Sequence, residues 1–200
     1  IKPPLIEVQL ISDEVTKKHL IKLNSGSMIE LVVIPEGKRR TLCVSSQAGC
    51  ALQCTFCATG TQGFDQNLES HEIIGQLWLA NFSEKSNKPI TNVVFMGMGE
   101  PLLNFDNVIE ATKIIKDQNA YGLSRKRITI STSGIVPNIK ELNKHVDVSL
   151  AISLHAANDD LRDKIVPINK KYPIKMLLSS CIDLLADHDS QRHITIEYLL

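Results

Sequence analysis

The chain has 200 residues, and its 43% apolar content is enough to bury one hydrophobic core. The charges of its 22 basic and 22 acidic residues cancel. The molecule as a whole therefore has no net positive charge that would attract nucleic acid. It has no apolar run of membrane-spanning length and no basic-then-apolar leader, so we expect a cytoplasmic protein without a membrane span. Because it begins with Ile1 and ends inside a strand-like run, we expect a fragment of a longer chain.

The first predicted element is a β-hairpin. Two strand-like runs, residues 15–23 and 28–34, flank a turn of suitable composition at residues 24–27. A Pro-Glu-Gly sequence at residues 35–37 then breaks the chain. We therefore predict that residues 1–40 form an N-terminal hairpin extension.

Strands and helices alternate along the rest of the chain. Apolar runs predict strands at residues 41–45, 92–96, 127–131, 146–154 and 193–200. Apolar stripes at helical spacing predict helices at residues 70–82, 108–115, 137–144 and from Pro173 onward. This alternation implies an α/β fold with a parallel sheet, either open and doubly wound or closed as a barrel.

Four of the five cysteines lie within residues 43–57. A secreted disulfide scaffold would be shorter and would have an even number of cysteines, so this pattern favours a metal or redox site. The fifth cysteine, Cys181, lies on the predicted core face of a helix, and we interpret it as a packing residue.

Cys50, Cys54 and Cys57 form a C-x3-C-x2-C motif after the first strand of the alternating region. Three thiolates this close can hold three corners of a [4Fe–4S] cluster, which normally takes four cysteine ligands. The remaining iron would be open to the amine and carboxylate of an amino acid, as reductive cleavage of S-adenosylmethionine (SAM) requires. A zinc site needs a second ligand pair, which the motif lacks, and inert thiols are the other alternative.

Polar residues follow the next three predicted strands. Gly99 and Glu100 follow the strand at residues 92–96, and the carboxylate could accept hydrogen bonds from an ammonium group. Ser131, Ser153 and His155 occupy the corresponding ends of later strands. Because the carboxyl ends of parallel strands build active sites in α/β sheets and barrels, these residues are candidate ligand contacts.

The cysteine motif, with Phe56 as its aromatic residue, resembles the radical SAM signature. A wider set of motifs resembles the bacterial dual-specificity RNA adenine C2 methyltransferases over residues 16–200. These motifs are CVSSQAGC at residues 43–50, GF at 63–64, NL at 67–68, MGMGEPL at 96–102, STSG at 131–134, SLHAAN at 153–158 and VPINK at 166–170.

The resemblance implies a partial six-stranded (β/α) barrel, of which residues 41–200 contain five strands and stop before the last. An N-terminal accessory domain and a C-terminal tail would lie outside this chain. The resemblance also implies a [4Fe–4S] cluster on Cys50, Cys54 and Cys57. It implies SAM contacts from Gly99, Glu100, Ser131, Ser153, Leu154 and His155.

The resemblance further implies a route that uses two SAM molecules. One methylates a C-terminal cysteine beyond Leu200, and the second yields a radical that activates this methyl group for addition to adenine C2. Cys43 would resolve the covalent enzyme–RNA intermediate through a transient disulfide, and Glu30 would accept a proton. The implied partners are 23S rRNA, tRNA and an external one-electron donor, and we expect a monomer.

Three alternatives remain open at this stage. The same family contains adenine C8 methyltransferases, although Pro101 and the run at residues 132–134 favour the C2 branch. A zinc-bearing RNA-binding module and another kind of radical SAM enzyme are the others. Because the net charge is zero, RNA contacts would depend on local basic patches at residues 38–40, 125–127 and 170–171.

Overall fold

The computed structural model describes residues 5–11, 16–82, 88–186 and 193–199. The strands in this part of the chain are β1 (Leu5–Ile11), β2 (Lys17–Lys22), β3 (Met28–Glu36), β4 (Arg39–Cys43), β5 (Gln47–Gly49), β6 (Phe64–Asn67), β7 (Asn92–Phe95), β8 (Ile128–Thr132), β9 (Ser149–Ser153) and β10 (Ile194–Glu197). The α-helices are α1 (Ala58–Gln62), α2 (Ser70–Phe82), α3 (Phe105–Lys116), α4 (Val136–His145), α5 (Asp159–Ile165) and α6 (Ile174–Ala186). No described helix combines the length and the apolar character needed to cross a bilayer.

Eight of the described strands form one sheet in the order β1-β2-β3-β4-β7-β8-β9-β10. The strands from β1 to β4 pair antiparallel, and those from β4 to β10 pair parallel. Each parallel connection contains at least one helix, as parallel pairing requires. The predicted α/β fold with a parallel barrel sheet is confirmed.

Side-chain alternation gives the sheet two different faces. Leu42, Val93 and Ile130 are fully buried on one face, in a core shared with the buried residues of α2, α3, α4 and α6. Cys43, Val94 and Thr129 pair in register and form a row on the opposite face, which is only partly covered. The covered face stabilises the fold, and the other is available for binding.

The predicted hairpin corresponds to β2 and β3, although Val15 lies outside the described residues. Its second strand pairs with β4 from Val32↔Cys43 to Glu36↔Arg39, so the hairpin extends the same sheet as the parallel strands. The predicted boundary after residue 40 falls inside β4, where the sheet changes from antiparallel to parallel. The division into two domains stays a prediction.

Candidate active site at the carboxyl ends of the parallel strands

A cleft of about 340 Å³ opens at the carboxyl ends of the parallel strands. It follows from the topology, because parallel strands bring the loops that follow them to the same edge of the sheet. Most of the predicted site residues line this cleft: Cys50, Cys54, Cys57, Gly99, Glu100, Ser131, Ser153 and His155.

The cysteine loop is fixed at several points by backbone hydrogen bonds. The Cys50 amide donates to the Gly63 carbonyl at 2.9 Å, and the Thr55 amide donates to the Ile165 carbonyl at 3.1 Å. Cys54 is buried at 6% exposure, whereas Cys50 and Cys57 are half-buried and Cys57 immediately precedes α1. The loop therefore presents all three sulfurs to one cleft.

The electrostatics of this loop disfavour free thiolates. Burial raises the pKa of Cys50 and raises the pKa of Cys54 to about 11. Negative charge on Cys57 and on Glu100 raises the pKa of both thiols further. Since metal ligands must be deprotonated, these three sulfurs need positive charge beside them. The irons of a cluster would supply that charge, so the donor set fits an iron–sulfur cluster.

A site for a single metal ion is not preassembled among the described residues. No group of three His, Cys, Asp or Glu side chains in this part of the chain is arranged to hold one ion. The zinc alternative requires ligands about 2.0–2.3 Å from a common ion. Cys50, Cys54 and Cys57 are among the residues without this arrangement, so metal content, and not this geometry, separates zinc from a cluster.

The glycines of the loop after β7 allow this loop to pack closely against another part of the backbone. A Cβ on Gly97 would lie 2.7 Å from the backbone of Val44, and one on Gly99 would lie 2.4 Å from Cβ of Gln47. Gly99 also has a φ of +96°, which side chains rarely adopt. The backbone at these glycines therefore packs closely against residues 44–47, and Gly99 also lines the cleft.

Glu100 connects two of the loops that form the cleft. The Leu102 amide donates to its Oε1 at 3.1 Å, and the Ser133 amide donates to its Oε2 at 2.8 Å. The residue is only 3% exposed, and burial raises the pKa of its carboxyl while these bonds oppose the rise. The side-chain hydroxyls of Thr132 and Ser133 also hydrogen-bond to the carboxylate, so donors from the loop after β7 and from the end of β8 already surround it.

Ser131 and Ser153 meet at a carboxylate that the sequence reasoning missed. Glu197 Oε2 accepts from Ser153 Oγ at 2.8 Å and from Ser131 Oγ at 3.2 Å, and Glu197 also lines the cleft. The parallel register pairs Ser153 with Glu197 at the ends of β9 and β10. The strand was predicted over residues 193–200, so Glu197 fell inside it and no sequence signal marked it as a strand end.

Leu154 and His155 form the turn after β9. Their amides donate to the Glu197 carbonyl at 3.1 and 3.2 Å, and the Leu154 side chain packs against the core, outside the cleft lining. His155 has a φ of 60°, and its ring packs edge-on against Phe56 with centroids 4.6 Å apart. Burial lowers the pKa of His155, and its Nδ1 is buried without a hydrogen-bond partner among the described residues.

The comparisons with known proteins agree with this geometry. The sequence profile of the Radical SAM superfamily matches residues 44–187. The chain belongs to the radical SAM superfamily. Membership of the superfamily implies SAM and an iron–sulfur cluster as cofactors, as predicted.

The chain is similar to curated proteins named "Dual-specificity RNA methyltransferase RlmN". It is 58% identical to one from Pseudomonas putida and 57% identical to one from Pseudomonas fluorescens, over 205 aligned positions in each case. Both alignments cover 100% of this chain but 54% of the relative, so the chain spans about half the length of these relatives.

A solved structure is similar over the whole chain as well. It is the crystal structure of a radical SAM methyltransferase from Sphaerobacter thermophilus, with a TM-score of 0.94 and 38% sequence identity. The match covers 100% of this chain and 59% of that one. The strand order described above is therefore that of a radical SAM fold.

In this radical SAM chain, a buried arginine that the sequence reasoning missed holds the ends of β8 and β9. Arg162 is fully buried in α5, and its guanidinium donates to the carbonyls of Ser133, Ser153 and Leu154 at 2.7, 3.1 and 2.9 Å. It also donates to Asn169 Oδ1 at 2.8 Å, within the VPINK motif. Arg162 thereby positions the loops that carry the predicted SAM contacts.

Cys43 lies at the end of β4, not in the middle of its strand as predicted. The Val44 amide still donates to the Val94 carbonyl, but the backbone of Ser45 bonds to a helix side chain instead: its amide donates to Gln76 Oε1, and Gln76 Nε2 donates to its carbonyl. The Cys43 thiol is on the partly covered face beside Val94. It is not among the residues that line the cleft, whereas its neighbour Met96 is.

Glu30 is on the same face of the sheet as Cys43. Val32 pairs directly with Cys43, so Glu30 is its diagonal neighbour, at a typical separation of about 7–8 Å. Glu30 forms an ion pair with Lys18 at 2.7 Å, and both side chains are partly exposed. Glu30 does not line the cleft of the three cysteines.

The predicted basic patches differ in position. Arg40 is buried at 6% exposure and donates to the carbonyls of Lys88 and Ala80, so it supports the fold instead of presenting charge to RNA. The patch at residues 38–40 spans the start of β4 and the patch at residues 125–127 precedes β8, so both lie at the sheet edge opposite the cleft. Lys170 and Lys171 follow α5, after the loop that Arg162 anchors.

Proposed function

We propose that this chain is the catalytic core of a radical SAM enzyme that methylates C2 of adenosine in 23S rRNA and tRNA. The observation that carries the proposal is the cleft, which brings the cysteine loop together with polar residues from four strand ends. The names of the relatives support RNA as the substrate. Because the chain covers about half of those relatives, the activity belongs to the longer protein.

We propose that Cys50, Cys54 and Cys57 hold a [4Fe–4S] cluster. When bound, the cluster supplies the electron that cleaves SAM. The chain itself orients SAM: the Glu100 carboxylate accepts from its ammonium, and residues at the ends of β8 and β9 bind the rest. These further SAM contacts are Gly99, Ser131, Ser153, Leu154 and His155.

We further propose roles for the two residues near the partly covered face. Glu30 accepts the proton that leaves adenine C2. The Cys43 sulfur then attacks the sulfur of a cysteine outside this chain that is linked through a methylene to the RNA. The S–S bond forms as the S–C bond breaks, and the released carbon takes the electron pair and a proton to become the methyl group. The position of Cys43 outside the cleft of the three loop cysteines supports a role separate from cluster binding.

Mass spectrometry of nucleosides tests the proposed reaction. The full-length protein, anaerobically reconstituted, is incubated with SAM, a one-electron donor and unmodified rRNA or tRNA. We expect 2-methyladenosine from the native protein and from Cys181→Ala, whose thiol is buried in the core, and none from Cys54→Ala. Formation of 8-methyladenosine would assign the C8 reaction instead, and unmodified adenosine would contradict methyl transfer.

Metal analysis tests the cluster independently of activity. The reconstituted protein should contain about four irons and about four sulfides per chain. Alanine at Cys50, Cys54 or Cys57 should lower both, whereas Cys181→Ala should retain them. Full iron retention in all three loop variants, or one zinc in place of iron, would exclude this ligand set.

A further inference from the structure

We propose that Arg162 and Ser133 raise the reduction potential of the cluster at the cysteine loop, so that it accepts an electron more readily. This inference rests on the proposed function, because it takes an iron–sulfur cluster as the occupant of that loop. The electron comes from the external donor, which is oxidised as the cluster is reduced, and no bond is made or broken. Three observations support the proposal: the unpaired charge of Arg162, its proximity to the cysteine loop and the position of the Ser133 hydroxyl.

Arg162 is a buried cation without a paired carboxylate. Its side chain is fully buried, and the four acceptors of its N–H groups are neutral oxygens, three backbone carbonyls and Asn169 Oδ1. Asp159 and Asp163 are nearby, but both accept from Asn169 Nδ2. No described carboxylate forms an ion pair with this guanidinium. Since a buried charge normally requires an opposite charge, the guanidinium needs an anion on another side.

The cysteine loop can supply that anion. The amide of Thr55, next to Cys54, donates at 3.1 Å to the Ile165 carbonyl, at the end of the helix that carries Arg162. Burial lowers the pKa of Arg162, and negative charge on Cys54 is the largest effect that opposes this change. When three thiolates hold a [4Fe–4S] core, their charge outweighs that of the core, and the site is an anion. The guanidinium therefore balances the charge of the loaded cysteine loop.

Ser133 connects the guanidinium to this loop. It directly follows β8, and its carbonyl accepts from Arg162 Nη2 at 2.7 Å. Its hydroxyl hydrogen-bonds to the Cys54 sulfur. A chain of contacts therefore leads from the buried cation to one of the proposed cluster ligands.

The hydrogen of the Ser133 hydroxyl is available to the sulfur. A serine hydroxyl has one hydrogen, and both Cys54 and Glu100 are within its reach. The Glu100 carboxylate also accepts from two backbone amides and from the Thr132 hydroxyl. Because Glu100 has these other donors, the Ser133 hydrogen can turn to the sulfur when negative charge there increases.

A nearby cation and a hydrogen bond to a ligand sulfur both favour the reduced state. Reduction adds one negative charge to the site, and each of these groups stabilises that charge. Net charge and hydrogen bonds to the sulfurs are among the factors that set the potentials of iron–sulfur clusters in proteins. The native chain should therefore have a less negative potential than a variant that lacks either group.

A redox titration monitored by electron paramagnetic resonance tests the assignment. The full-length, anaerobically reconstituted protein is titrated without SAM, with titanium(III) citrate as the reductant. Ser133→Ala removes the hydroxyl and keeps the backbone groups of this residue. Its equilibrium constant for reduction should fall roughly tenfold, which is about 59 mV for a one-electron couple. Arg162→Met should shift the potential in the same direction, whereas Arg162→Lys, which keeps the charge, should stay closer to the native value.

Two further variants control for the loss of a buried polar side chain. Arg40→Met removes another buried guanidinium, which donates to the carbonyls of Lys88 and Ala80. Ser180→Ala removes a buried hydroxyl that donates to the Leu177 carbonyl within α6. Both variants should keep the native potential, and iron analysis shows whether each compared sample contains a complete cluster.

Each contrary result has a distinct meaning. Native potentials in Ser133→Ala and Arg162→Met would overturn the proposal, as would shifts to less negative values or an equal shift in a control variant. Equal shifts in Arg162→Lys and Arg162→Met would assign the effect to loop geometry and overturn the role of the charge. If Arg162→Met loses its iron, the potential of Ser133→Ala decides. If the native protein binds no iron, the proposed function itself fails.

Discussion

The Cys43 thiol has surroundings different from those of the three loop cysteines. Burial raises its pKa to about 11, a hydrogen bond from the Met96 backbone opposes the rise, and the charge of Glu197 adds to it. The thiol therefore keeps its proton at neutral pH and is a poor nucleophile in the resting protein. Because Cys54 has a similarly raised pKa, the position of Cys43 outside the cleft, and not its pKa, separates it from the three proposed cluster ligands.

Replacement of Cys43 distinguishes a resolving thiol from a cluster ligand. Cys43→Ala in the full-length protein should retain the iron and still cleave SAM, because neither depends on this sulfur. RNA should remain attached to the protein, since alanine cannot form the disulfide that releases it. A nuclease-sensitive shift on a denaturing gel measures the trapped species. Loss of iron would indicate a four-cysteine site, and normal turnover would return Cys43 to a packing role.

Glu100 is a buried carboxylate and the proposed partner of the SAM ammonium. Glu100→Gln should weaken SAM binding by roughly 1.5–3 kcal/mol, the usual value of a hydrogen bond to a charged group. Calorimetry of the reconstituted protein measures this loss, with iron content expected to be unchanged. Glu110→Gln, at an exposed position on α3, is the matched control and should bind SAM normally. Unchanged SAM affinity in Glu100→Gln would remove this carboxylate from the site.

At the scale of elements, the sequence predicted the long apolar segments well. The helix predicted at residues 70–82 coincides with α2, and each parallel strand differs from its prediction by at most three residues at either end. Burial on both faces makes such strands visible as continuous apolar runs. Leu200, in the last predicted strand, lies outside the described residues.

Short and polar elements were not predicted. The two-stranded sheet of β5 and β6 contains a register shift between Ala48 and Gly49, so its strands have no clear alternation. The helix α5 is seven residues long and mostly charged, and tertiary contacts fix it through Arg162. Glu197 and Arg162 were missed as site residues for a related reason, since their roles depend on neighbours distant in sequence.

The loop after β7 provides a matched pair of glycine substitutions. Gly99 and Gly26 have similar φ values, +96° and +93°, so alanine is strained at both by about 1–2 kcal/mol. Only at Gly99 would the new Cβ overlap Gln47, because nothing lies within 4 Å of the Cβ at Gly26. We expect Gly99→Ala to lower the free energy of unfolding clearly more than Gly26→Ala, as measured by urea denaturation. Equal losses would show that the loop can relax away from Gln47.

At the scale of the whole molecule, buried thiols make the free energy of unfolding depend on pH in the alkaline range. Burial raises the pKa of Cys43 and of Cys181 from 9.0 to about 11. Between these values the folded chain keeps protons that the unfolded chain has lost. The free energy of unfolding therefore falls as pH rises from 9 to 11, and it is unaffected by these groups at lower pH.

Cys181 allows this dependence to be measured at a residue outside the site. Cys181→Ala should lose stability less steeply than the native protein between pH 9 and 11, because one titrating group is gone. Urea unfolding of the cluster-free protein across this range gives the two slopes, and their difference cancels the other titrating groups. Equal slopes would show that the Cys181 thiol titrates normally in the folded chain.

The change from antiparallel to parallel pairing at β4 has a consequence for the order in which the chain assembles. The strands β1 to β4 are neighbours both in sequence and in the sheet, so their contacts close short loops. Each parallel strand that follows is separated from its partner by a crossover that contains a helix. Its contacts are therefore less local and form more slowly. We expect the antiparallel meander to form first, while synthesis continues. Its last strand then provides the edge on which β7, β8, β9 and β10 are added one at a time.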